Sequence, residues 1–169
     1  MRNYPEWMLI YWAGLASGVT VVGSGPAGLT VAYYLRLKGY RITLFEALDQ
    51  LGGMLRVGIP DYRLPPEVLD EEIDQILSLG VAVQTGKRLG VDFTLDQLQA
   101  EGFAAVFLGP GAHASLRLNI PGEDTGAGVV DAVRFLREVN LGNRQLPGRR
   151  VVVVGGGNEI GRASCRERV

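Results

Sequence analysis

Uninterrupted β-branched runs alternate along the chain with segments of helical period. VTVV (19–22) has no polar break beyond one threonine, as a strand covered on both faces requires. After GSGPAG, the stretch LTVAYYLRLKG places Leu29, Ala32, Tyr33 and Leu37 at helical spacing, with Pro26 suited to a helix start and Gly39 to its end. RITLFE (41–46) reads as a second strand, so residues 19–46 form a β-turn-α-β unit. Residues 47–66 read as a loop from their Gly and Pro content. PEVLDEEIDQILSLG predicts a helix with Val68, Leu69, Ile73, Ile76 and Leu77 on one side and acids in its first half. VAV (81–83) is a short strand, and FTLDQLQAEG a short helix that starts near Thr94 or Asp96. FAAVFLG (103–109) and VVVV (151–154) read as buried strands, with a helix between them over about 129–140. This alternation predicts a doubly wound, Rossmann-like α/β fold, with VVVV as the first strand of a second nucleotide-binding domain.

The bulk properties narrow the function classes. At 169 residues, with 47% hydrophobic and 21% charged, the chain suits one packed domain plus part of another. Its 24 glycines cluster in turns and do not repeat at a solenoid period. A formal charge of −1 argues against a nucleic-acid partner or a polybasic membrane patch. Cys165 is the only cysteine, so neither an internal disulfide nor a cysteine-ligated zinc or iron–sulfur site forms within this chain, and a reducing, cytoplasmic setting fits. The acids of 67–74 lack the histidine partners and spacing of a metal motif, so a solvated helix face is expected there. Residues 7–22 (WMLIYWAGLASGVTVV) are apolar enough to resemble a signal peptide. Glu6 stands where positive charge belongs, however, the stretch is short for a membrane span, and VTVV is needed as a strand.

The candidate chemistry begins at Gly23-Ser24-Gly25-Pro26-Ala27-Gly28, a G-x-G-x-x-G string. Such a string alone is weak, but here it follows a strand, opens a helix, and is followed by a second strand ending in Glu46. Gly23 permits the tight turn, Gly25 lets a pyrophosphate approach the backbone, and Gly28 lets helix and strand pack closely. The helix N-terminus presents unpaired N–H groups and partial positive charge to phosphates. Glu46 can accept hydrogen bonds from a ribose diol and disfavours a 2′-phosphate. The site is therefore expected to hold the ADP moiety of FAD or NAD. Further on, Gly52-Gly53 allows close backbone approach, Met54 and Leu55 can cover an apolar face, and Arg56 and Arg63 are the nearest cations for bidentate phosphate contact.

VTVVGSGPAGLTVAYYLRLKGYRITLFEALDQLGGMLRVGIPDYRLPPEVLDEEI resembles the FAD-binding start of the glutamate synthase small-subunit family, within the pyridine nucleotide-disulfide oxidoreductases. FLGPGAH, NIPGED, FLREVN and VVVVGGGN continue the likeness in order, over about residues 18–158. The family includes NADPH-dependent ferredoxin reductase subunits and the flavin half of dihydropyrimidine dehydrogenase. The resemblance implies FAD on the first glycine motif, lined by Gly53, Met54 and Arg63, with Leu89 at its adenosine end. It implies NADPH on the second motif, with Gly155, Gly157 and Asn158 in the turn. It further implies hydride transfer from NADPH to FAD, then single electrons to iron–sulfur clusters outside this chain, on a larger catalytic or ferredoxin-like partner subunit. Gly109-Pro110-Gly111 stands where the family has a small residue, Thr and Gly. Pro110 removes an N–H and a hydroxyl, while Gly111 keeps close approach to the flavin possible. His113, the only histidine, reads as a loop residue, because hydride transfer needs alignment and no protein acid. No catalytic side chain is assigned. A disulfide reductase would need a C-x-x-C or C-x4-C pair, which is absent. The remaining rivals are another flavin reductase subunit of this group and a non-catalytic FAD-binding module.

The domain reading is an unassigned segment 1–17, the N-terminal part of the FAD domain over 18–112, a connection over 113–149, and the start of the NAD(P) domain over 150–158. From Glu159 the likeness stops. IGRASCRERV matches a conceptual translation of a common short-read sequencing adapter, so residues 159–169, with Cys165, are expected to be non-native. The polypeptide as written is therefore expected to be inactive by itself.

Overall fold

The computed structural model describes residues 18–115, 117, 120–123, 128–143 and 148–154. Its elements in chain order are β1 (Val19–Val22), α1 (Pro26–Leu37), β2 (Ile42–Phe45), α2 (Met54–Val57), α3 (Pro66–Ser78), β3 (Ala82–Gln84), α4 (Leu95–Ala100), β4 (Ala105–Leu108) and α5 (Ala132–Asn140). They fall into two units. One takes the described residues of 18–53 with 67–111; the other takes 54–66 with the described part of 112–169.

The first unit is a four-stranded, fully parallel sheet in the order β3-β2-β1-β4. Parallel neighbours need crossovers, and the helices supply them. β1 pairs on both sides and all four of its residues are buried, which is why its sequence is nearly all valine. Val22 stands opposite Phe45 on one side and Leu108 on the other. The carboxyl ends of three strands therefore finish level, and Gly23, Glu46 and Gly109 leave the sheet side by side.

Side chains alternate between the two faces of β1. A Cβ on Gly28 of α1 would lie against Val21, so Val21 faces that helix. On α1 the buried residues are Gly28, Leu29, Ala32 and Leu35. Tyr33 and Leu37, expected on the inner face, are exposed instead, because the stripe turns with the 3.6-residue period from Leu29 to Leu35. Arg36 anchors the far end of α1, donating from Nε and Nη2 to Leu79 O (2.8 and 2.6 Å) and from Nη1 to Tyr40 O (2.6 Å). Val22, Phe45, Phe93 and Leu98 form a second buried cluster. α4 enters it through a capping box: Gln97 N–H donates to Thr94 Oγ1 (3.2 Å), and Gln97 Oε1 accepts from Thr94 N–H (2.7 Å). That settles the helix start on Thr94 rather than Asp96. α3 buries Leu69 and Ile73, while Val68, expected on the same side, is exposed.

Two strand expectations are corrected. β4 is half-exposed, with Leu108 48% accessible, because among the described residues it pairs only with β1 and forms an edge. Val151–Val154 has no regular structure and is exposed. A β-branched run becomes a strand only beside a partner ladder, and no described strand pairs with it.

In the second unit, the stretch expected as loop contains α2. Met, Leu and Arg favour helix locally, and Gly58 N–H closes the turn on Met54 O at 2.9 Å. α2 packs on α5, whose Asp131 side chain caps the Arg134 N–H (2.7 Å). Asn140 at the end of α5 donates from Nδ2 to Arg56 O (3.1 Å) and Ile59 O (3.0 Å), holding the α2 turn.

One core hydroxyl is out of place. Thr20 is fully buried on β1, and among the described residues its Oγ1 has no hydrogen-bond partner. Thr20→Val removes an unsatisfied polar group at almost constant shape, so stability measured by urea denaturation should rise by about 1 kcal/mol. A fall of that size would show that the hydroxyl is paired.

Candidate functional site

The level strand ends and the α1 N-terminus define the site within the first unit. The turn from β1 to α1 is shaped by two close backbone approaches. Gly23 has φ +97°, and a Cβ there would collide with the Gly109 carbonyl, so the β4 end lies directly against the turn. A Cβ on Gly28 would collide with the Gly23 carbonyl. Neither position accepts a side chain, and both glycines close the turn onto the sheet. Gly25 differs: a Cβ there would meet nothing within 4 Å. The direction its Cβ would take opens onto free space at the helix start, where a phosphate can come close.

Gly25 is the N-cap of α1, and no side chain caps the helix. Pro26 occupies the first turn and lacks an N–H, which costs nothing there. The helix N-terminus therefore offers its partial positive charge, with the N–H groups of Ala27 and Gly28, to an anion. Open space at Gly25 and an uncapped helix start together fit a pyrophosphate.

Glu46 follows β2 and is 6% exposed. Its backbone is held on both sides, by Glu46 N–H to Gln84 O (2.9 Å) and Lys87 N–H to Glu46 O (2.8 Å). Its Oε2 accepts from Ser24 N–H at 2.9 Å and Ser24 Oγ at 2.5 Å, and its Oε1 accepts from Leu48 N–H at 2.9 Å. Ser24, fully buried, also accepts from Gly52 N–H at 3.0 Å through Oγ. Composition and spacing pointed to Glu46 as a ribose partner. They did not show that the same carboxylate joins the glycine turn to its own strand end, or that Ser24 links it on to the Gly52-Gly53 loop. The signal that could have found this link is a hydroxyl at the first variable position of the glycine string, opposite a buried acid.

The structure brings together Gly23, Ser24, Gly25, Pro26, Ala27, Gly28 and Glu46. Gly53 joins them, with φ +53°, and a Cβ there would lie only 2.8 Å from Gly25 Cα, so its lack of a side chain is required by the chain's own packing. Leu89 is half-buried against the Phe45–Phe93 cluster, just beyond the segment that holds Glu46. Gly111 is exposed, with φ +76°. Met54, Arg56 and Arg63 belong to the second unit, Met54 and Arg56 half-buried and Arg63 exposed. His113 is exposed in a segment without regular structure. Gly155, Gly157, Asn158 and the 159–169 tail lie outside the described residues. Among the described residues, no group of three or more His, Cys, Asp or Glu could hold a metal, and no helix is long and apolar enough to cross a membrane.

A family model described as pyridine nucleotide-disulphide oxidoreductase matches residues 17–161. The NADP(+)-dependent formate dehydrogenase subunit beta of Moorella thermoacetica is 51% identical over 142 residues, which are 83% of this chain and 20% of that protein. The glutamate synthase (NADPH) small chain of Mycobacterium tuberculosis is 40% identical over 153 residues, 83% of this chain and 31% of that one. The chain thus spans only 20% and 31% of the length of these relatives. Mycobacterium tuberculosis FprA, solved in complex with NADPH, shares the fold with a TM-score of 0.66 at 23% identity, over 75% of this chain and 29% of its own.

The two classes of glycine predict opposite outcomes. Gly25→Ala should keep the wild-type melting temperature while weakening ADP binding at least about tenfold, the cost of losing a close phosphate approach. Gly28→Ala should instead destabilise the fold by about 2 kcal/mol or more, because helix and turn must move apart. Thermal denaturation and calorimetric titration read the two effects separately. Equal destabilisation by both variants would show that Gly25 serves packing and not a ligand.

Proposed function

From the premise that the chain belongs to the pyridine nucleotide-disulphide oxidoreductase family, we propose that its first unit holds the ADP half of FAD and that it works within a flavin-dependent NAD(P)H oxidoreductase subunit. The observation that carries this reading is the open space where a Gly25 side chain would stand, at an uncapped helix start beside a buried acid. Gly25 and the Ala27 and Gly28 N–H groups receive the pyrophosphate, and Glu46 meets the ribose and repels a 2′-phosphate. Gly53, Met54, Arg63, Leu89 and Gly111 are proposed to complete the flavin contacts, and Gly155, Gly157 and Asn158 to begin the NADPH site.

The chemistry that FAD supplies is acceptance of a hydride from a nicotinamide followed by release of single electrons. The chain's own part is to bind, orient and shield, with no side chain assigned to proton transfer. The acceptors are proposed to be iron–sulfur clusters outside this chain, on a larger or ferredoxin-like partner subunit, in a cytoplasmic complex. Support for NADPH as the donor comes from relatives named for NADP(+)-dependent formate dehydrogenase and NADPH glutamate synthase, whose names share the coenzyme and differ in the other substrate. The part most similar to this chain is thus assigned to the coenzyme side of the reaction. The glutamate synthase role is one member of that set.

The experiment uses the product of the full gene, purified and mixed anaerobically with NADPH or NADH in a stopped-flow spectrometer. The expected outcome is a bound flavin spectrum that NADPH bleaches faster than NADH. A flavin that neither coenzyme bleaches would favour a non-catalytic FAD-binding module. Full-length protein without flavin would sink the reading.

A further inference from the structure

The hydrogen bonds around Glu46 have a fixed direction. Oε2 already accepts from Ser24 N–H, an obligate donor, so the Ser24 hydroxyl at 2.5 Å gives its proton to the same oxygen. The Gly52 N–H can only donate, so Ser24 Oγ accepts there, at 3.0 Å. The result is a one-way chain from Gly52 N–H through Ser24 Oγ–H to Glu46 Oε2, closed off from water by full burial of Ser24. Leu48 N–H takes one position on Oε1. A carboxylate offers about four acceptor positions, and the chain's own groups fill three of them, leaving a position on Oε1.

We propose that Ser24 is a positioning residue for ribose recognition: by saturating Oε2 it leaves Oε1 as the single acceptor, so that the carboxylate reads one ribose hydroxyl in one orientation. This rests on the ADP-site reading above. The hydroxyl contributes no contact to the ligand in this scheme. It acts by filling the second acceptor position of Oε2, beside the Ser24 and Leu48 N–H groups that already hold the two oxygens, and it ties the carboxylate to the Gly52-Gly53 loop, whose Gly53 packs on Gly25. A serine at this position thereby adds a side-chain link between the ribose acid and the phosphate turn to the one that the Ser24 N–H already makes.

The test compares equilibrium binding of FAD with that of an FAD analogue lacking the adenosine 2′-hydroxyl, to full-length apoprotein. Wild type should prefer FAD by about tenfold or more, the size of one hydrogen bond to a charged acceptor. Ser24→Ala should weaken FAD binding while leaving the analogue nearly unchanged, so that the preference shrinks to about twofold as the vacated position on Oε2 competes with Oε1 for the ribose hydroxyl. Ser24→Cys, similar in size with a weaker donor, should give an intermediate preference, and it carries the test if the alanine variant does not fold. Equal weakening of both ligands would show a merely structural hydroxyl and overturn the proposal. So would a wild-type preference near one, or variants with unchanged preference. Wild-type protein that binds neither ligand would instead remove the flavin reading itself, and this proposal with it.

Discussion

A carboxylate at 6% exposure must be met by donors or it destabilises the fold by several kcal/mol, and Glu46 meets three that belong to its own chain. Two come from the glycine turn and one from the loop that follows its strand. The turn and the end of β2 are therefore held to one group, and the Gly52-Gly53 loop is joined to it through Ser24 Oγ. The level ends of β1, β2 and β4 make this possible, because parallel pairing in matched register delivers Gly23, Glu46 and Gly109 to the same edge of the sheet. The chain's own donors thus satisfy the buried acid and gather the glycine turn and the strand ends at one edge of the sheet.

The parts of this arrangement that local pattern specifies were legible from the residues. The valine run of β1 requires burial on both faces, Pro26 requires a first helical turn, and the glycine string with a following acid has few other uses. The four parallel strands and intervening helices of the first unit follow from that alternation. What pattern could not supply is partnership between distant groups. Nothing local says that Ser24 reaches Glu46, or that Gly53 packs on Gly25. The valines at 151–154 are as β-branched as β1 yet are exposed, because strand formation depends on a neighbouring ladder and not on side chains alone. Phe107 and Leu108 read as core and lie at an edge for the same reason.

The helix α2 shows the reverse failure. Glycines and prolines recur through 47–66, and they mark the borders of a short helix as well as a loop. Its turn is completed by Asn140, more than eighty residues away, through two carbonyl acceptors that sequence spacing could not have paired. The same logic separates the roles of the glycines. Gly23 and Gly28 are excluded from carrying side chains by the chain's own carbonyls, whereas Gly25 is left open. Gly25 is the one of the three whose lack of a side chain the chain's own packing does not require.

On the proposed reading, the first glycine turn and Glu46 receive an adenine nucleotide without a 2′-phosphate. The most direct measurement is competition for bound FAD in the full-length protein by ADP and by 2′-phospho-ADP. Displacement by ADP is expected, with the 2′-phosphate compound weaker by about a hundredfold, as repulsion by a buried acid requires. Equal displacement by the two compounds would contradict it.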